Sequence, residues 1–192
     1  MDITSVVKLL NTKSKVIAIK TDTVYGLICN AYDKSAVDKI YDIKARDKNK
    51  PISLFVKNID EVKKIVSKDN LTKRNLYIME KYWPGAVTII LKKNDDTFSH
   101  LTKGMSSIGI RIPDDDFLLK ILGTCDFPLA ETSCNLSNEE PYRNADEIKE
   151  KLGDKVDLII DGGEVVENVA STVISLEANE MIILREGSVK LV

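Results

Sequence analysis

Apolar and polar residues follow two different periods along the chain, and these periods predict a mixture of helices and strands. Apolar residues recur every three to four positions in six segments, which are the predicted helices 3–10, 34–44, 59–66, 72–82, 117–122 and 145–152. Short apolar runs separate them and predict strands at 16–19, 52–56, 87–92, 107–111, 129–133 and 158–161. Segments 171–176 and 181–184 alternate around a polar turn and predict an antiparallel hairpin. The order of elements predicts an α/β fold on a mixed sheet.

Length and composition favour one domain. The chain has 192 residues, of which 43% are hydrophobic, enough for one buried core. We therefore predict a single domain over residues 1–192. No apolar run approaches the ~20 residues of a membrane span, and the first four residues lack the layout of a signal peptide, so we expect a cytoplasmic protein. The net charge of −2 argues against coating of nucleic acid, so a local cluster of cations must meet any polyanion.

Cysteine and histidine usage excludes some common chemistries. Cys29, Cys125 and Cys134 are odd in number and form no Cys-x-x-Cys pair, so neither a disulfide framework nor a zinc site is indicated. His100 is the single histidine and lies in the polar stretch 94–106. We interpret it as a solvated loop residue, which makes a Ser-His-Asp mechanism a poor explanation of any activity.

Two polar segments follow predicted strands or helices and are candidates for ligand contact. Residues 20–27 read Lys-Thr-Asp-Thr-Val-Tyr-Gly-Leu after the apolar run 16–19, which predicts a ligand-contact turn. Lys44, Arg46, Lys48 and Lys50 end a predicted helix, where solvated cations also favour the helix dipole. The two common glycine-rich nucleotide fingerprints are absent from the sequence, so cations must hold any nucleotide. Pro51 connects this run of cations directly to the predicted strand 52–56, which brings the cations to the edge of the sheet. A cluster of cations at a strand end favours an anion site.

Further polar residues stand near strand ends. Arg111 lies in an otherwise apolar strand and should meet an anion, either Asp22, Glu131 or a substrate carboxylate. Arg185 follows the same logic at the end of the last strand. Strand alternation would place the side chains of Ser133 and Asn135 on one face, although a turn role suits Asn135 or Ser137 equally. Segments 83–85 (Trp-Pro-Gly) and 161–163 (Asp-Gly-Gly) are interpreted as turns.

Eight short motifs occur in order between residues 14 and 187 and together resemble the YrdC family of threonylcarbamoyl-adenylate synthases. They are Thr-Asp-Thr-Val-Tyr-Gly-Leu, Lys-x-Arg before proline, Trp-Pro-Gly-x-x-Thr, Arg-x-Pro, Ser-x-Asn, Asp-Gly-Gly, Ser-Thr-Val and Leu-Arg-x-Gly. The resemblance implies synthesis of threonylcarbamoyl-AMP and pyrophosphate from L-threonine, bicarbonate or CO2 and ATP, for the threonylcarbamoyladenosine modification of tRNA. It also implies a twisted open sheet with flanking helices and a concave, positively charged cavity.

The resemblance also assigns roles to residues. The catalytic and nucleotide-handling positions it implies are Lys44, Arg46, Ser133 and Asn135. Further positions near ATP are Lys50, Ser107 and Arg185. Positions that hold threonine are Thr21, Arg111 and Ser171. No enzymatic nucleophile and no metal-ligating residue are implied, Mg²⁺ is expected with ATP, and downstream tRNA threonylcarbamoyl-transfer proteins are the expected partners.

Two positions depart from the family pattern. Lys20 stands where many members have proline, and Phe55 stands where many have histidine, so any contact of Phe55 with threonine must be apolar. We expect no separate C-terminal domain, so that loops of this domain close the cavity. The alternatives are an RNA-binding module that contacts double-stranded RNA or tRNA without catalysis and, less favoured, a carbamoyltransferase-type domain.

Overall fold

The computed structural model describes residues 2–191, and their strands form one mixed sheet. The helices are α1 Ile3–Leu10, α2 Lys34–Lys44, α3 Ile59–Ile65, α4 Lys73–Tyr82, α5 Ser99–Thr102, α6 Asp116–Thr124 and α7 Ala145–Leu152, with 3₁₀ turns at Lys68–Asn70 and Gly153–Lys155. The strands are β1 Ile17–Lys20, β2 Tyr25–Asn30, β3 Ser53–Phe55, β4 Val87–Lys92, β5 Ser107–Arg111, β6 Leu129–Ser133, β7 Leu158–Ile160, β8 Thr172–Ser175 and β9 Ile182–Arg185.

The sheet is open, twisted and nine-stranded, in the order β7-β1-β2-β6-β3-β5-β4-β8-β9. Strand pairs β1–β7, β3–β5 and β4–β8 are parallel, and the other five neighbouring pairs are antiparallel. The predicted fold class is therefore confirmed, as is the C-terminal hairpin, in which Ile174 pairs with Ile183. Most predicted bounds are correct within one or two residues, the range over which element ends ordinarily vary.

Side-chain caps fix where most helices begin. The capping residues are Asp2, Asp33, Asn58, Thr72, Asp115 and Asn144. Each accepts a hydrogen bond from a backbone N–H in the first turn, which satisfies donors that the helix itself cannot pair. Helix α2 ends at Ala45 in the left-handed conformation, with φ of 46°. This turn redirects the chain, so that Arg46 leaves the helix axis toward the sheet.

One strand and one α-helix were not predicted from the sequence. Residues 20–27 were interpreted as a turn, but only residues 21–24 form it, and Tyr25 begins β2, which pairs with both β1 and β6. The strand was missed because this β1–β2 connection lacks the two-residue glycine turn that signals a hairpin. Helix α5 was missed because four residues show no clear period.

The interpretation of His100 as a solvated loop residue was wrong. His100 lies in α5, and its ring Nε2 is 2.8 Å from the carbonyl oxygen of Ala31. The next two residues of this helix, Leu101 and Thr102, are fully buried, so the helix packs against the core and the His100 ring is partly buried. Partial burial lowers the pKa of His100.

The two faces of the sheet are packed differently. The back face carries Ala18, Leu27, Leu54 and Ile110, which belong to the larger apolar core. The front face carries, in one register row, Ile17, Ile28 and Glu131 on β1, β2 and β6. We call the part of the front face that α1 and α6 cover the covered half; its apolar cluster is Val6, Leu10, Ile17, Ile19, Ile28, Phe55, Leu118, Ile121, Leu122, Cys125, Leu129 and Ile160.

The rest of the front face we call the open half, formed by β3, β5, β4 and β8 with the C-terminal end of β6. Strand pairing places Ser53, Thr88, Gly109 and Val173 on this face.

None of the helices in residues 2–191 is long and apolar enough to cross a membrane. The one-domain organisation of residues 1–192 and the cytoplasmic location stay predictions, and Met1 and Val192 lie outside the described residues.

Candidate active site

A cavity of about 190 Å³ lies over the open half of the front face. Its charged and hydroxyl-bearing walls include Arg46, Arg111, Glu131, Ser133, Ser171 and Arg185. These residues are far apart in the sequence and come from five different segments. Arg111, Glu131, Ser133 and Arg185 meet because alternate residues of the strands point to the same side of a sheet. Arg46, from the loop after α2, and Ser171, just before β8, complete the wall.

Gly109 keeps the floor of the cavity open. A Cβ atom built on Gly109 would lie 3.1 Å from Ser53 Oγ and 3.4 Å from Thr88 Cγ2. Any side chain at this position would therefore project into the space between β3 and β4. The absence of a side chain at Gly109 thus leaves room for a ligand at the centre of the open half.

Arg111 is fixed in the cavity wall by an internal ion pair. Its Nη2 donates to an Asp22 carboxylate oxygen, its Nη1 to Thr23 Oγ1 at 3.1 Å and its Nε to the Gly85 carbonyl at 2.9 Å. The two charged side chains are only 3% and 10% exposed. Phe55 lies beneath the guanidinium, with the ring centre 5.5 Å from Cζ. The predicted anion partner of Arg111 is thus present within the protein, and it is Asp22 rather than Glu131.

The turn at residues 21–24 supplies Thr23, and not Thr21, to the cavity wall. Thr21 is 4% exposed, its Oγ1 donates to the Val24 carbonyl at 2.7 Å, and it accepts from the Thr23 backbone N–H at 3.1 Å. These contacts hold the turn in shape. The threonine-binding role of Thr21 stays a prediction, and Thr23 is a wall residue that the sequence pattern did not separate from it.

Lys44 ties the end of α2 to the loop that follows β6. The ammonium group donates to the Ser133 carbonyl, to the Asn135 carbonyl at 3.0 Å and to Asn135 Oδ1 at 2.7 Å. Lys44 is 1% exposed, and burial, with the charge of Arg46 second, lowers its pKa to about 8. Because its N–H groups are used within the protein, Lys44 acts on the cavity through Ser133 and Asn135.

Ser133 and Asn135 do meet, but not by strand alternation as predicted. Strand β6 ends at Ser133, and the loop brings Asn135 back so that Ser133 Oγ donates to Asn135 Oδ1 at 2.6 Å. Asn135 Nδ2 donates to the carbonyls of Leu136 and Glu139, each at 2.8 Å. The turn role left open for Asn135 is therefore confirmed. Of this pair, only Ser133 lines the cavity.

Arg46 and Arg185 bring positive charge to the cavity without a carboxylate partner. Within residues 2–191, neither forms an ion pair at 4.0 Å or less. Arg46 Nη2 donates to the Pro51 carbonyl at 3.1 Å, and its buried Nε has no hydrogen-bond partner among the described residues. Arg185 donates from Nε and Nη2 to the Ser171 carbonyl at 3.2 and 2.7 Å. Burial lowers the pKa of both guanidinium groups.

The remaining predicted residues lie away from the cavity wall or play a supporting part. Lys48 and Lys50 are exposed and do not line the cavity, which fits the alternative of a solvated charge run for these two cations. Ser107 lies on the front face of β5, opposite Lys92, but beyond the cavity. Ser171 Oγ is 2.9 Å from Thr88 Oγ1 and lines the cavity. The ATP roles of Lys50 and Ser107 stay predictions.

Glu131 is a wall residue to which the sequence analysis gave no role of its own. Its carboxylate belongs to the cavity, and within residues 2–191 it makes no hydrogen bond and no ion pair at 4.0 Å or less. Burial raises its pKa, and the charges of Arg111 and Lys44 act in the opposite direction. Alternate residues of β6 point to the same face, so Glu131 shares a face with Ser133, which was already a candidate. This alternation was the signal in the sequence that could have identified Glu131 as a site residue.

Comparison with known proteins places the chain in a family. The model of the Sua5, YciO and YrdC proteins, described as "Telomere recombination", matches residues 10–187. The chain belongs to the Sua5/YciO/YrdC family. A Methanocaldococcus jannaschii relative is 38% identical over 90% of this chain and 80% of that protein. The Bacillus subtilis threonylcarbamoyl-AMP synthase is 32% identical over 92% of this chain and 51% of that protein.

A solved structure of another Sua5/YciO/YrdC protein has the same fold. The crystal structure of Pyrococcus abyssi Sua5 complexed with L-threonine matches with a TM-score of 0.89 and 29% identity, covering 96% of this chain and 54% of that chain. The resemblance proposed from the sequence motifs is thereby confirmed. The chain spans about half the length of these Bacillus and Pyrococcus relatives and four fifths of the Methanocaldococcus one.

The two departures from the family pattern have structural explanations. Lys20 Nζ donates to the carbonyls of Gly162 and Glu164, each at 3.1 Å, so that it ties β1 to the Asp-Gly-Gly turn. Phe55 is fully buried at the boundary between the two halves of the front face, where it supports Arg111. Lys20 thus holds β1 to this turn, and Phe55 positions Arg111 in the cavity wall.

Proposed function

We propose that this chain is a threonylcarbamoyl-AMP synthase, which joins L-threonine, bicarbonate or CO2 and ATP into threonylcarbamoyl-AMP and pyrophosphate. One observation carries the proposal: three arginines line a single cavity in a Sua5/YciO/YrdC chain, and two of them have no carboxylate partner among the described residues. Unpaired cations in a concave site favour anionic ligands. The name of the Bacillus subtilis relative supports the synthase over the RNA-binding alternative.

Arg111 is the group best placed to hold the amino-acid carboxylate. Three of its N–H groups are used by Asp22, Thr23 and Gly85, which leaves one free N–H on each of Nη1 and Nη2. Such a pair matches the two oxygens of a carboxylate. Its orientation is fixed before the ligand arrives, which lowers the entropy lost on binding. The threonine complex of Pyrococcus abyssi Sua5 supports an amino acid as the ligand of this cavity.

Arg46, Arg185 and Ser133 form the part of the cavity suited to a nucleotide. The two guanidinium groups would neutralise phosphate oxygens. The Ser133 hydroxyl, whose single proton is donated to Asn135 Oδ1, would offer an acceptor oxygen to a donor group of the nucleotide. Lys44 and Asn135 fix the position of Ser133 from behind. The threonine nitrogen captures CO2, the carbamate oxygen attacks the α-phosphorus, and the bond to pyrophosphate breaks. This chemistry needs positioning and charge neutralisation rather than an enzymatic nucleophile.

Mg²⁺ would reach this site together with ATP. No group of three or more His, Cys, Asp or Glu side chains in residues 2–191 is arranged to hold a metal. Mg²⁺ commonly binds substrate phosphates and water with few protein ligands, and the residues present fit that mode. When bound, the ion would neutralise phosphate charge as pyrophosphate leaves.

The product would serve the tRNA threonylcarbamoyl-transfer proteins that form threonylcarbamoyladenosine. A net charge of −2 gives this chain little bulk attraction for RNA, so transfer of the small-molecule product is the simpler route. Binding of tRNA with a steep salt dependence in the absence of nucleotide would instead favour the RNA-binding alternative.

Pyrophosphate release tests the proposal. Purified chain is incubated with ATP, Mg²⁺, bicarbonate and each of the twenty amino acids in turn, for the wild type, Arg46→Ala and the matched control Lys48→Ala, which removes an exposed cation. We expect release with threonine, a loss of about 10²–10³-fold in Arg46→Ala and wild-type rates in the control. If the wild type releases no pyrophosphate above a control without threonine, the proposal fails.

A further inference from the structure

The carboxylate of Glu131 lies in the cavity and has no role in the binding of carboxylate or phosphate groups proposed above. Glu131 is the carboxylate among the described residues that line the cavity, whose other charged wall groups are arginines. It has no hydrogen-bond or ion-pair partner at 4.0 Å or less in residues 2–191. The side chain is half-buried, and an unpaired charge that is withdrawn from water lowers stability unless a ligand compensates it. A carboxylate in this position is therefore a candidate for contact with the cationic part of a substrate.

Threonine is the substrate with such a part. Its α-carboxylate suits Arg111, but its α-ammonium group needs an acceptor and must also lose a proton before the nitrogen can attack CO2. We infer that Glu131 binds the α-ammonium group of the amino-acid substrate and accepts a proton from it. The inference rests on the proposed function, because it assigns a role within that reaction.

The ammonium group of threonine loses one proton to Glu131 and a second proton to solvent as the carbamate forms. One N–H bond of the ammonium group breaks, and its proton moves to a carboxylate oxygen of Glu131. The freed lone pair forms the N–C bond with CO2, one C=O electron pair moves onto oxygen, and the adduct releases a second proton to solvent to leave the carbamate. Glu131 then returns its own proton to water, so no oxidant, reductant or further reactant is needed.

The surroundings of Glu131 suit this task. Charged groups that act on it come from β5 (Arg111), α2 and the residues after it (Lys44 and Arg46), β9 (Arg185) and the turn before β2 (Asp22). Its register partners on the neighbouring strands, Ile28 and Ser53, carry no charge. Burial outweighs the cations and raises the pKa of Glu131, which makes the carboxylate a stronger base.

Other groups near the cavity are less suited. Asp22 is already paired with Arg111, and its second oxygen accepts from the Asp114 backbone N–H at 3.1 Å. Lys44 uses its N–H groups on Ser133 and Asn135. His100 lies on α5 against Ala31 and does not line the cavity. Glu131 is thus the one carboxylate of the described cavity wall that is free to accept a proton.

Ligand binding in the absence of ATP provides the first test. Calorimetry would compare L-threonine with 3-hydroxybutanoate, which keeps the carboxylate and hydroxyl groups but lacks the amine. We expect Glu131→Gln to weaken threonine binding by about 10–100-fold, as for loss of a charged hydrogen-bond partner, and to leave 3-hydroxybutanoate binding unchanged. Equal loss for both ligands, or loss for neither, would overturn the inference.

The pH profile of pyrophosphate release provides the second test. At fixed CO2, the wild type should lose activity toward acid pH as Glu131 becomes protonated. Glu131→Gln should lower kcat by about 10²–10⁴-fold and lack this acid limb, whereas Glu131→Asp should retain the limb at an intermediate rate. The exposed Glu150→Gln on α7 is the matched control. An unchanged profile in Glu131→Gln, with an active wild type, refutes this inference and leaves the proposed function standing.

Folding of the variant is checked separately. Glu131→Gln replaces an unpaired, half-buried charge with a neutral amide, so we expect its thermal midpoint to equal or exceed that of the wild type. If Glu131 had a purely structural role, the substitution would lower the thermal midpoint. It would also weaken the binding of threonine and of 3-hydroxybutanoate to the same extent. An inactive wild type with intact threonine binding would instead contradict the proposed function, because the calorimetric test does not depend on turnover.

Discussion

The covered and open halves of the front face are built from the same sheet but differ in what lies against them. In the covered half, Ile17, Ile28 and Leu129 meet apolar side chains of α1 and α6. In the open half, Ser53, Arg111 and the hydroxyl-bearing residues beside them face a cavity. Strand alternation is the same in both halves. The difference is that α1 and α6 cover one half and no helix pair of the described chain covers the other. This cover decides whether the side chains of the front face form an apolar core or a binding site.

Strand β6 crosses the boundary and shows how sharp it is. Leu129, Glu131 and Ser133 project from the same side of one strand, yet Leu129 is fully buried among apolar residues while the other two line the cavity. On β3 and β5, the next two strands of the sheet, Phe55 and Arg111 are register partners at the same boundary. The apolar half therefore serves as the rigid support against which the charged half is oriented.

The largest effect is expected from Arg111→Met in the open half. The change leaves the Asp22 carboxylate, which is 10% exposed, without its cation. Loss of one partner of a buried ion pair costs about 3–5 kcal/mol in the free energy of unfolding, and pyrophosphate release should also be lost. Urea unfolding and the release assay measure the two effects.

The double variant Asp22→Asn/Arg111→Met separates stability from activity at this site. Because it removes both charges, it should recover most of the free energy of unfolding that Arg111→Met loses, yet stay inactive. A double variant no more stable than Arg111→Met would contradict the importance of the ion pair. A double variant with wild-type activity would contradict the role of Arg111 in binding substrate.

A smaller effect confined to stability is expected from Ile121→Ala in the covered half. Ile121 on α6 is fully buried in the apolar cluster, and truncation of such a side chain costs about 2–5 kcal/mol. The rate of pyrophosphate release per folded molecule should equal that of the wild type. Ile183→Ala, at a residue 45% exposed on the edge strand β9, is the matched control and should change stability by less than about 0.5 kcal/mol. A change in rate without unfolding would show that the halves are not separable.

The smallest effect is a pH dependence that comes from Lys44 at the edge of the open half. Its pKa in the folded protein is lowered to about 8 from 10.5, so between these values the unfolded state binds more protons than the folded state. Stability should therefore rise as pH increases through this window, by up to about 3 kcal/mol from this group. Urea unfolding at several pH values would measure it. Lys44→Met should lack this rise, whereas Lys48→Met, at an exposed cation, should keep it.

Local sequence patterns were sufficient for most of the fold and for part of the site. Periods of apolar residues located six of the helices and the strand framework. The charge of Arg111 in an apolar strand indicated an anion partner, and Asp22, one of the three alternatives, is present at that place. The patterns failed where the deciding contacts are distant. His100 was placed in solvent because no local signal reports its contact with Ala31, and β2 was hidden because its pairing with β6 is a long-range interaction.

The sequence by itself determined the α/β class, the family motifs and the residue types that carry charge, because periodicity, composition and motif order are properties of the chain alone. Only the tertiary structure decided which of these residues line the cavity. Thr23 rather than Thr21 reaches it, Lys44 acts from behind Ser133, and Glu131 becomes an unpaired carboxylate at its wall. Strand register and helix cover set these outcomes, and both depend on contacts between segments far apart in the sequence.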